Sequence, residues 1–212
     1  MNPSLYLVTD GPLSKRRAVD WIVAQALKGG VTMVQLREKE ASTRDFLALA
    51  EKVLALTRPS RVPLLINDRV DVALAVDADG VHLGQNDMDY AVARRLLGPD
   101  KIIGLSVESV EQAEAAQSID VDYLGVSPIY RTPTKEELRT AIGIDGLRRI
   151  KKFTRHLLVA IGGMNKETIP DVVRAGADGI AVVSAICSSD DPRLSAEELI
   201  NSISEVRNEA NP

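Results

Sequence analysis

Eight short aliphatic runs, separated by longer amphipathic segments, are the feature of this sequence that most restricts its fold. The runs fall at residues 5–8, 31–36, 62–66, 80–83, 101–105, 122–126, 157–161 and 179–183. Runs of roughly four to eight residues that are rich in Val, Ile and Leu and bounded by Gly, Asp or Asn are typical of buried parallel strands. The sequence therefore predicts eight buried strands that alternate with helices.

The segments between the runs carry apolar residues at helical spacing. The spacing is clearest in one stripe formed by Ala18, Ile22, Ala26 and Leu27 and another formed by Phe46, Leu49, Val53 and Leu56, and it is weaker at 69–76, 88–97, 109–117, 144–152, 166–175 and 195–206. Eight strand–helix units fit an α/β fold of the closed (β/α)8 type, a TIM barrel, as a single domain over residues 1–212. An open doubly wound sheet is the alternative for this pattern.

Composition narrows the classes of function. Hydrophobic residues make up 45% of the chain and aromatic residues only 3%, so we expect an aliphatic core. The 26 Lys and Arg against 30 Asp and Glu give a net charge of −4, which argues against a nucleic-acid or anionic-membrane surface. The single cysteine, Cys187, cannot form an internal disulfide, so we expect a cytoplasmic protein. A homodimer is left open.

In a TIM barrel the active site lies at the carboxyl ends of the strands, so the residues that follow each run are the candidates. The polar residues there include the cations Arg37, Lys39 and Lys135 and the neutral donors Asn67, Ser106, Thr132 and Thr134. Arginine binds phosphate oxygens through a two-pronged fork, and lysine binds them as a point charge. The set predicts a site for several phosphate oxygens.

Two carboxylates, Asp68 and Asp87, follow the neighbouring third and fourth runs. Mg²⁺ typically takes one or two carboxylates together with waters and substrate phosphates, so this pair is a candidate magnesium site. Cations beside a carboxylate-bound magnesium indicate a diphosphate as the ligand.

A second anion site is predicted where Gly162 and Gly163 follow the seventh run and Val183 and Ser184 follow the eighth. TIM barrels often bind a phosphate between these loops, where backbone N–H groups approach the anion. Two phosphorylated substrates in one pocket indicate a condensation reaction.

Each candidate also has a structural interpretation. Residues 37–39 could be a solvated charge run, and Asp68 and Asp87 could cap the helices that follow them. His82 lies within an aliphatic run and His156 just before one, so we interpret both as structural residues. Cys187 has no evident histidine partner and is interpreted in the same way.

Taken in order, several segments resemble the thiamine phosphate synthase family from about residue 4 to residue 187. They are Tyr6-Leu-Val-Thr-Asp10, Gln35-Leu-Arg-Glu-Lys39, Asn67-Asp68, Asp79-Gly-Val-His-Leu-Gly-Gln85 with Asp87, Thr132-Pro-Thr-Lys135, Ala160-Ile-Gly-Gly163 and Val182-Val-Ser-Ala-Ile186. The resemblance implies a TIM barrel that condenses 4-amino-2-methyl-5-hydroxymethylpyrimidine diphosphate with 4-methyl-5-(2-phosphoethyl)thiazole, giving thiamine phosphate and diphosphate. Ser127 and Tyr130-Arg131 depart from the family pattern, which implies at most an altered loop.

The resemblance also implies roles for individual residues. The pyrimidine diphosphate would contact Gln35, Leu36, Arg37, Glu38, Lys39, Asn67, Ser106 and Lys135, with Arg37, Lys39 and Lys135 catalytic, whereas the thiazole phosphate would contact Thr132, Pro133, Thr134, Gly163, Val183 and Ser184. Asp68 and Asp87 match the family's Mg²⁺ ligands. Diphosphate would leave first, assisted by Mg²⁺ and the cations, and the thiazole nitrogen would then capture the methylene cation.

Two other functions are compatible with the same barrel. A thiazole tautomerase would not need the diphosphate and metal half of the site, which this chain retains. A non-catalytic ligand-binding regulator would be expected to have lost Lys135 or one of the two aspartates, and none is missing.

Overall fold

A computed structural model describes residues 1–131 and 141–210. The strands within them are β1 Leu5–Val8, β2 Met33–Leu36, β3 Leu64–Asn67, β4 Gly80–Leu83, β5 Ile102–Val107, β6 Tyr123–Val126, β7 Leu157–Ile161 and β8 Gly179–Val182. The α-helices are α1 Val19–Lys28, α2 Thr43–Ser60, α3 Val70–Ala75, α4 Tyr90–Leu97, α5 Val110–Ala115, α6 Gly143–Lys151, α7 Ile169–Arg174, α8 Ser184–Cys187 and α9 Pro192–Ala210. Among these helices, none is both long and apolar enough to cross a membrane.

The strands form one closed parallel barrel in sequence order, and β1 pairs with β8 to close it. In that closing pair, Leu5 lies opposite Ile180 and Leu7 opposite Val182. Each parallel neighbour is reached through a helical crossover, so every strand runs in the same direction. All eight carboxyl ends therefore meet at one mouth. The prediction of a (β/α)8 barrel is confirmed, and the alternative of an open doubly wound sheet is wrong.

The strand predictions differ from the structure mainly at their ends. For example, β2 begins at Met33 rather than at residue 31, whereas β5 continues to Val107. Two helix boundaries follow side-chain caps, since Ser42 accepts a hydrogen bond from the backbone N–H of Asp45 and Ser109 accepts one from Gln112. The sequence did not predict α8, because four residues are too few to display a helical period.

The core has two layers, as the alternation of side chains along a strand requires. Every second residue points outward, as Leu5, Leu7, Val34 and Leu36 do, into a large aliphatic layer between the barrel and its helices. The inward residues form a smaller cluster made of Tyr6, Val8, Met33, Leu65, Tyr123, Val159 and Ala181. This inner cluster forms the floor beneath the mouth.

Two buried tyrosines cross inside the barrel. The rings of Tyr6 and Tyr123 meet edge to face, with their centroids 5.9 Å apart and their planes at 85°. Tyr123 fits because β5 carries a glycine beside it: a Cβ added at Gly104 would lie 2.1 Å from Cζ of Tyr123. A chain with only 3% aromatic residues thus places two of them at the centre of its barrel.

We expect Gly104→Ala to destabilise the protein by about 3 kcal/mol, because the new methyl group would overlap a ring that has no free space to move into. Gly11→Ala is the matched control, since a Cβ there meets Oε2 of Glu38 at an ordinary 3.5 Å. Urea denaturation measures both changes. Equal stability of the two variants would contradict the packing described for Tyr123.

Candidate active site

A cavity opens at the carboxyl ends of the strands, where the sequence places the candidate site. Its empty volume is about 950 Å³, including the open mouth. The polar residues that line it are Tyr6, Asp10, Gln35, Arg37, Asn67, His82, Ser106, Tyr123, Ser127 and Ser184. The apolar part of the lining includes Val8, Val159, Ile161 and Val183. Apolar walls with a few convergent polar groups are typical of a small-molecule site.

Arg37 lies just beyond β2 and is held in place by residues that follow β1. Its guanidinium Nη1 donates to Oδ2 of Asp10 at 2.8 Å, and its backbone N–H donates to Oγ1 of Thr9 at 3.0 Å. The side chains of Arg37 and Asp10 are 21% and 10% exposed, so this ion pair is largely shielded from water. Because Asp10 also accepts from the backbone N–H of Leu13, its carboxylate is fixed from two sides. The charge run at 37–39 is therefore not simply solvated.

The residues beside Arg37 separate according to strand alternation. Gln35 and Arg37 line the cavity, whereas Leu36 is completely buried in the outer aliphatic layer. A contact between Leu36 and a ligand would therefore have to come from its backbone. Oε1 of Glu38 is buried without a hydrogen-bond partner among the described residues, and burial followed by the charge of Asp10 raises the pKa of Glu38. Lys39 is exposed outside the cavity lining.

Asp68 and Asp87 come together at the rim of the mouth. Burial and then the neighbouring carboxyl of Asp87, by a hydrogen bond and by its charge, raise the pKa of Asp68 to about 6, although Lys39 acts in the opposite direction. The backbone of Asp68 is left-handed, with φ of 63°, and Oδ2 of Asp87 accepts from the backbone N–H of Gly84 at 2.6 Å. Two carboxylates are thus held close together, where their charges repel.

The helix-cap interpretation of these aspartates is wrong. The N-cap of α3 is Arg69, which makes no side-chain cap hydrogen bond, and the N-cap of α4 is Asp89, which accepts from the backbone N–H groups of Ala91 and Val92. Asp68 and Asp87 are therefore free of the structural role that the sequence left open.

The donor set fits magnesium better than a metal held by protein ligands alone. Within residues 1–131 and 141–210, no cluster of three or more His, Cys, Asp or Glu residues could enclose a metal ion. A pair of hard carboxylate ligands at an open rim is typical of Mg²⁺, which completes its coordination with water and substrate phosphates. Burial and the neighbouring carboxyl of Asp87, which together raise the pKa of Asp68, are also the conditions under which a bound cation stabilises a carboxylate pair.

A chain of hydrogen bonds crosses the cavity floor from β2 to β5. Nε2 of Gln35 donates to the Tyr6 hydroxyl at 2.8 Å, and that hydroxyl lies 2.9 Å from the Tyr123 hydroxyl. Nδ1 of His82 is 2.8 Å from the same Tyr123 oxygen, and its Nε2 is 2.8 Å from Oγ of Ser106. Five side chains from five strands are linked in this way.

Sequence reasoning missed three members of this chain and Asp10. The position of His82 within a strand predicts a structural residue, but its side chain faces the cavity and it lies opposite Asn67 in the β3–β4 register. Strand alternation could have revealed it, since Val81 and Leu83 are the outward residues of β4. Tyr6 and Tyr123 carried no such signal, because buried tyrosines are ordinary core residues.

His156 and Cys187 have the structural surroundings that the sequence predicted. The ring nitrogens of His156 lie 3.0 and 3.1 Å from the backbone oxygens of Val121 and Ala116, away from the cavity lining. Burial raises the pKa of the Cys187 thiol to about 11, which leaves it unreactive.

On the far side of the cavity, two glycines allow neighbouring loops to touch. A Cβ at Gly162 would lie 2.8 Å from Cβ of Pro128, and one at Gly163 would lie 2.7 Å from Cβ of Tyr130. Both glycines have positive φ, 103° and 71°, which a side chain would strain. Both also line the cavity, together with Val183 and Ser184. The glycine pair therefore shapes the loop, in addition to bringing backbone close to the cavity.

The short helix α8, which begins at Ser184, is anchored by Arg17. Its guanidinium donates to the backbone oxygens of Cys187 at 2.8 Å and of Ser189 at 2.5 Å. A cation at the carboxyl end of a helix satisfies carbonyl groups that have no partner within the helix.

Four further candidates, Thr132, Pro133, Thr134 and Lys135, lie outside the described residues.

Comparisons with known proteins agree on one family. The family model described as thiamine monophosphate synthase matches residues 5–186. A thiamine-phosphate synthase from Vibrio campbellii is 50% identical over 92% of this chain and 96% of its own, and one from Chloroflexus aurantiacus is 51% identical over 92% and 90%. The solved structure of thiamine phosphate pyrophosphorylase from Pyrococcus furiosus is 41% identical, with a TM-score of 0.89 over 97% of both chains.

We expect Asp68→Asn to raise the melting temperature by about 2–4 °C at pH 7.5 without metal, and to leave it unchanged near pH 4. A carboxyl whose pKa is raised in the folded state binds more protons folded than unfolded between pH 4 and 6, so its contribution to stability falls as pH rises through that window. Asparagine also tolerates the left-handed backbone.

Calorimetry at both pH values, with and without Mg²⁺, measures this effect. Mg²⁺ should stabilise the unmodified protein more at pH 7.5 than at pH 5 and should have little effect on the variant. A melting temperature that falls equally at both pH values would mean that Asp68 is needed for the fold.

Proposed function

The chain belongs to the thiamine monophosphate synthase family, and we propose that its cavity joins a pyrimidine diphosphate to a thiazole phosphate by a dissociative reaction. It is a transferase, like its relatives of about 50% identity that are thiamine-phosphate synthases. The observation that carries the mechanism is that one cavity joins two unlike sides. A fixed arginine lines one side, with the carboxylate pair of Asp68 and Asp87 outside the lining next to Asn67, and a glycine turn with Val183 and Ser184 lines the other side.

The diphosphate binds on the side of β2 to β5 in this proposal. The guanidinium group of Arg37 donates to the phosphate oxygens from the cavity wall, and Asn67 and Ser106 supply uncharged donors to them. Lys39 at the rim and Lys135 complete the cationic set, as the family resemblance implies. Glu38, which the resemblance also places on this substrate, is half-buried, and burial raises the pKa of its carboxyl.

Asp68 and Asp87 are the residues that would hold Mg²⁺ beside that diphosphate. A bound magnesium ion would supply positive charge opposite the departing group. The support for this assignment is the pair itself, which is unfavourable when both carboxyls are charged and no cation is present.

The thiazole phosphate binds on the opposite side. Gly163, Val183 and Ser184 line the cavity there, and Arg17 holds α8 from behind. Thr132, Pro133 and Thr134 are assigned to the same substrate from the resemblance. This separation lets the two rings lie between the anion sites, above the tyrosine floor.

The reaction follows from this placement. The bond between the pyrimidine methylene carbon and the diphosphate oxygen breaks, and its electron pair leaves with the diphosphate, whose growing charge meets Arg37, Lys39 and Lys135. The aminopyrimidine stabilises the resulting cation. The lone pair of the thiazole nitrogen then forms the new carbon–nitrogen bond, so neither a general base nor a covalent nucleophile is required.

The surroundings of the protein form part of the same proposal. Small phosphorylated molecules are its partners, whereas a net charge of −4 argues against nucleic acid or an anionic membrane surface as a partner. The buried, unpaired Cys187 suits the reducing cytoplasm. A homodimer stays a prediction that light scattering would test.

A single assay tests the function. Purified protein is incubated with both phosphorylated substrates and Mg²⁺, and both diphosphate and thiamine phosphate are measured. We expect equal amounts of the two products. Diphosphate release without thiamine phosphate, or no turnover by folded protein, would contradict the proposal.

We expect Asp68→Asn and Asp87→Asn each to lower magnesium-dependent turnover by more than about 100-fold while the fold is retained. Asp89→Asn is the matched control, because Asp89 caps α4 only two residues from Asp87. Steady-state rates across a magnesium titration, with circular dichroism of each variant, measure the effect. Loss of turnover in Asp89→Asn as well would point to the loop rather than to the metal ligands.

We expect Lys135→Ala to lower kcat by about 100- to 1,000-fold, because its charge acts on the departing diphosphate and is therefore felt most in the transition state. The KM for thiazole phosphate should barely change. Ser184→Ala should show the converse, a higher KM for thiazole phosphate with a smaller effect on kcat. Lys152→Ala, at an exposed lysine after α6, is the control. If Lys135→Ala raises only the KM for thiazole phosphate, the two sides of the cavity are assigned the wrong way round.

A further inference from the structure

The hydrogen-bond chain across the cavity floor ends at two residues that face the same substrate in the proposed function. Its members, in order, are Gln35, Tyr6, Tyr123, His82 and Ser106. Tyr6 and Tyr123 are essentially inaccessible to solvent, with 1% and 0% exposed. The two tyrosines are therefore shielded from bulk water, and Gln35 and Ser106 at the ends of the chain line the cavity, as the partly exposed His82 also does.

Proton counting restricts how this chain can be arranged. Each tyrosine hydroxyl carries one proton, and a neutral imidazole has one donor nitrogen and one acceptor nitrogen. Because Nε2 of Gln35 donates to Tyr6, the Tyr6 proton goes to Tyr123 and the Tyr123 proton goes to Nδ1 of His82. Nε2–H of His82 then donates to Ser106, whose own hydroxyl proton is left to point at the ligand.

The opposite direction is also complete, but only if every member reverses. Ser106 would donate to His82, each later hydroxyl would donate onward, and the Gln35 amide would turn so that its carbonyl oxygen accepts. With a neutral His82 imidazole, a mixture of the two directions leaves a buried polar group unsatisfied, which is costly. The donor or acceptor character of Gln35 and Ser106 is therefore set jointly.

We propose that Tyr6, Tyr123 and His82 are positioning residues that couple recognition of the diphosphate to recognition of the 4-amino group on the pyrimidine. This inference rests on the proposed function. An anionic phosphate oxygen near Ser106 requires a proton from it, which selects the direction drawn from the structure. In that direction Gln35 presents a carbonyl oxygen, which accepts a hydrogen bond from an exocyclic amine and repels a 4-oxo group.

The coupling also bears on the rate. As the bond to diphosphate breaks, positive charge spreads onto the exocyclic amine, so the amine becomes a stronger donor to Gln35. Donation from the Gln35 amide nitrogen into the chain strengthens its carbonyl as an acceptor. Burial raises the pKa of Tyr123 well above its usual value, so this hydroxyl keeps its proton while it links the two halves.

The test compares the affinities of the 4-amino and 4-oxo pyrimidine diphosphates by calorimetry. We expect the unmodified protein to favour the 4-amino compound by about 10- to 100-fold. Tyr123→Phe interrupts the chain and frees the Gln35 amide to turn, so the preference should fall to within about twofold. Ser106→Ala should reduce the preference as well, although Ser106 lies on β5 and Gln35 on β2.

Tyr90→Phe is the matched control, since it also removes one tyrosine hydrogen bond, from the Tyr90 hydroxyl to the backbone oxygen of Asp120 at the surface. Its preference should stay as in the unmodified protein. The inference would be overturned if the preference for the 4-amino compound were unchanged in Tyr123→Phe or fell equally in Tyr90→Phe. It would also be overturned if the unmodified protein bound both pyrimidines equally well or bound neither.

The condensation assay distinguishes failure of this inference from failure of the proposed function. Thiamine phosphate formation with an unchanged preference in Tyr123→Phe would overturn the coupling alone. If the unmodified protein forms no thiamine phosphate, while Tyr123→Phe loses the preference for the 4-amino pyrimidine, the condensation is overturned and the coupling is retained.

Discussion

Pairing of β1 with β8 is the constraint on which the rest of this molecule depends. This pairing places Leu5 of the first strand opposite Ile180 of the last strand. It thereby turns a row of eight strands into a ring. Only in a ring do residues after β2, β3, β4 and β8 face a common space. Closure brings the ion pair of Asp10 with Arg37 and the glycine turn into one cavity, with the carboxylate pair of Asp68 and Asp87 beside Asn67 at its rim.

Inside the ring, missing side chains are as important as present ones. Gly104 makes room for the ring of Tyr123, and Gly125 does the same for His82, since a Cβ there would lie 2.9 Å from Cε1 of the imidazole. These two glycines let polar rings occupy positions that would otherwise hold aliphatic side chains. The floor of the barrel is thereby both packed and hydrogen-bonded, as buried polar groups require.

The fold could be predicted from the sequence because its strands are short, continuous aliphatic runs, as at 5–8 and 157–161, whereas its helices are longer segments with apolar residues at helical spacing. Arg37 and Asp68 could be found because they directly follow such runs. Alternation along β4 is enough to turn His82 toward the cavity, but the hydrogen-bond roles of Asp10 and His82 depend on partners 27 and 24 residues away in sequence, Arg37 and Ser106. Alternation along β2 was the signal overlooked at Leu36, whose side chain faces the helices.

The bond between Asp10 and Arg37 has a consequence for the lifetime of any complex formed here. A guanidinium that already has a carboxylate partner at 2.8 Å gains less from an arriving anion than a solvated one would, because it must share or exchange that partner. It also loses less when the anion departs, because the carboxylate is still in place. An anion is therefore bound less tightly here than by a solvated guanidinium and is released more readily, which favours repeated turnover.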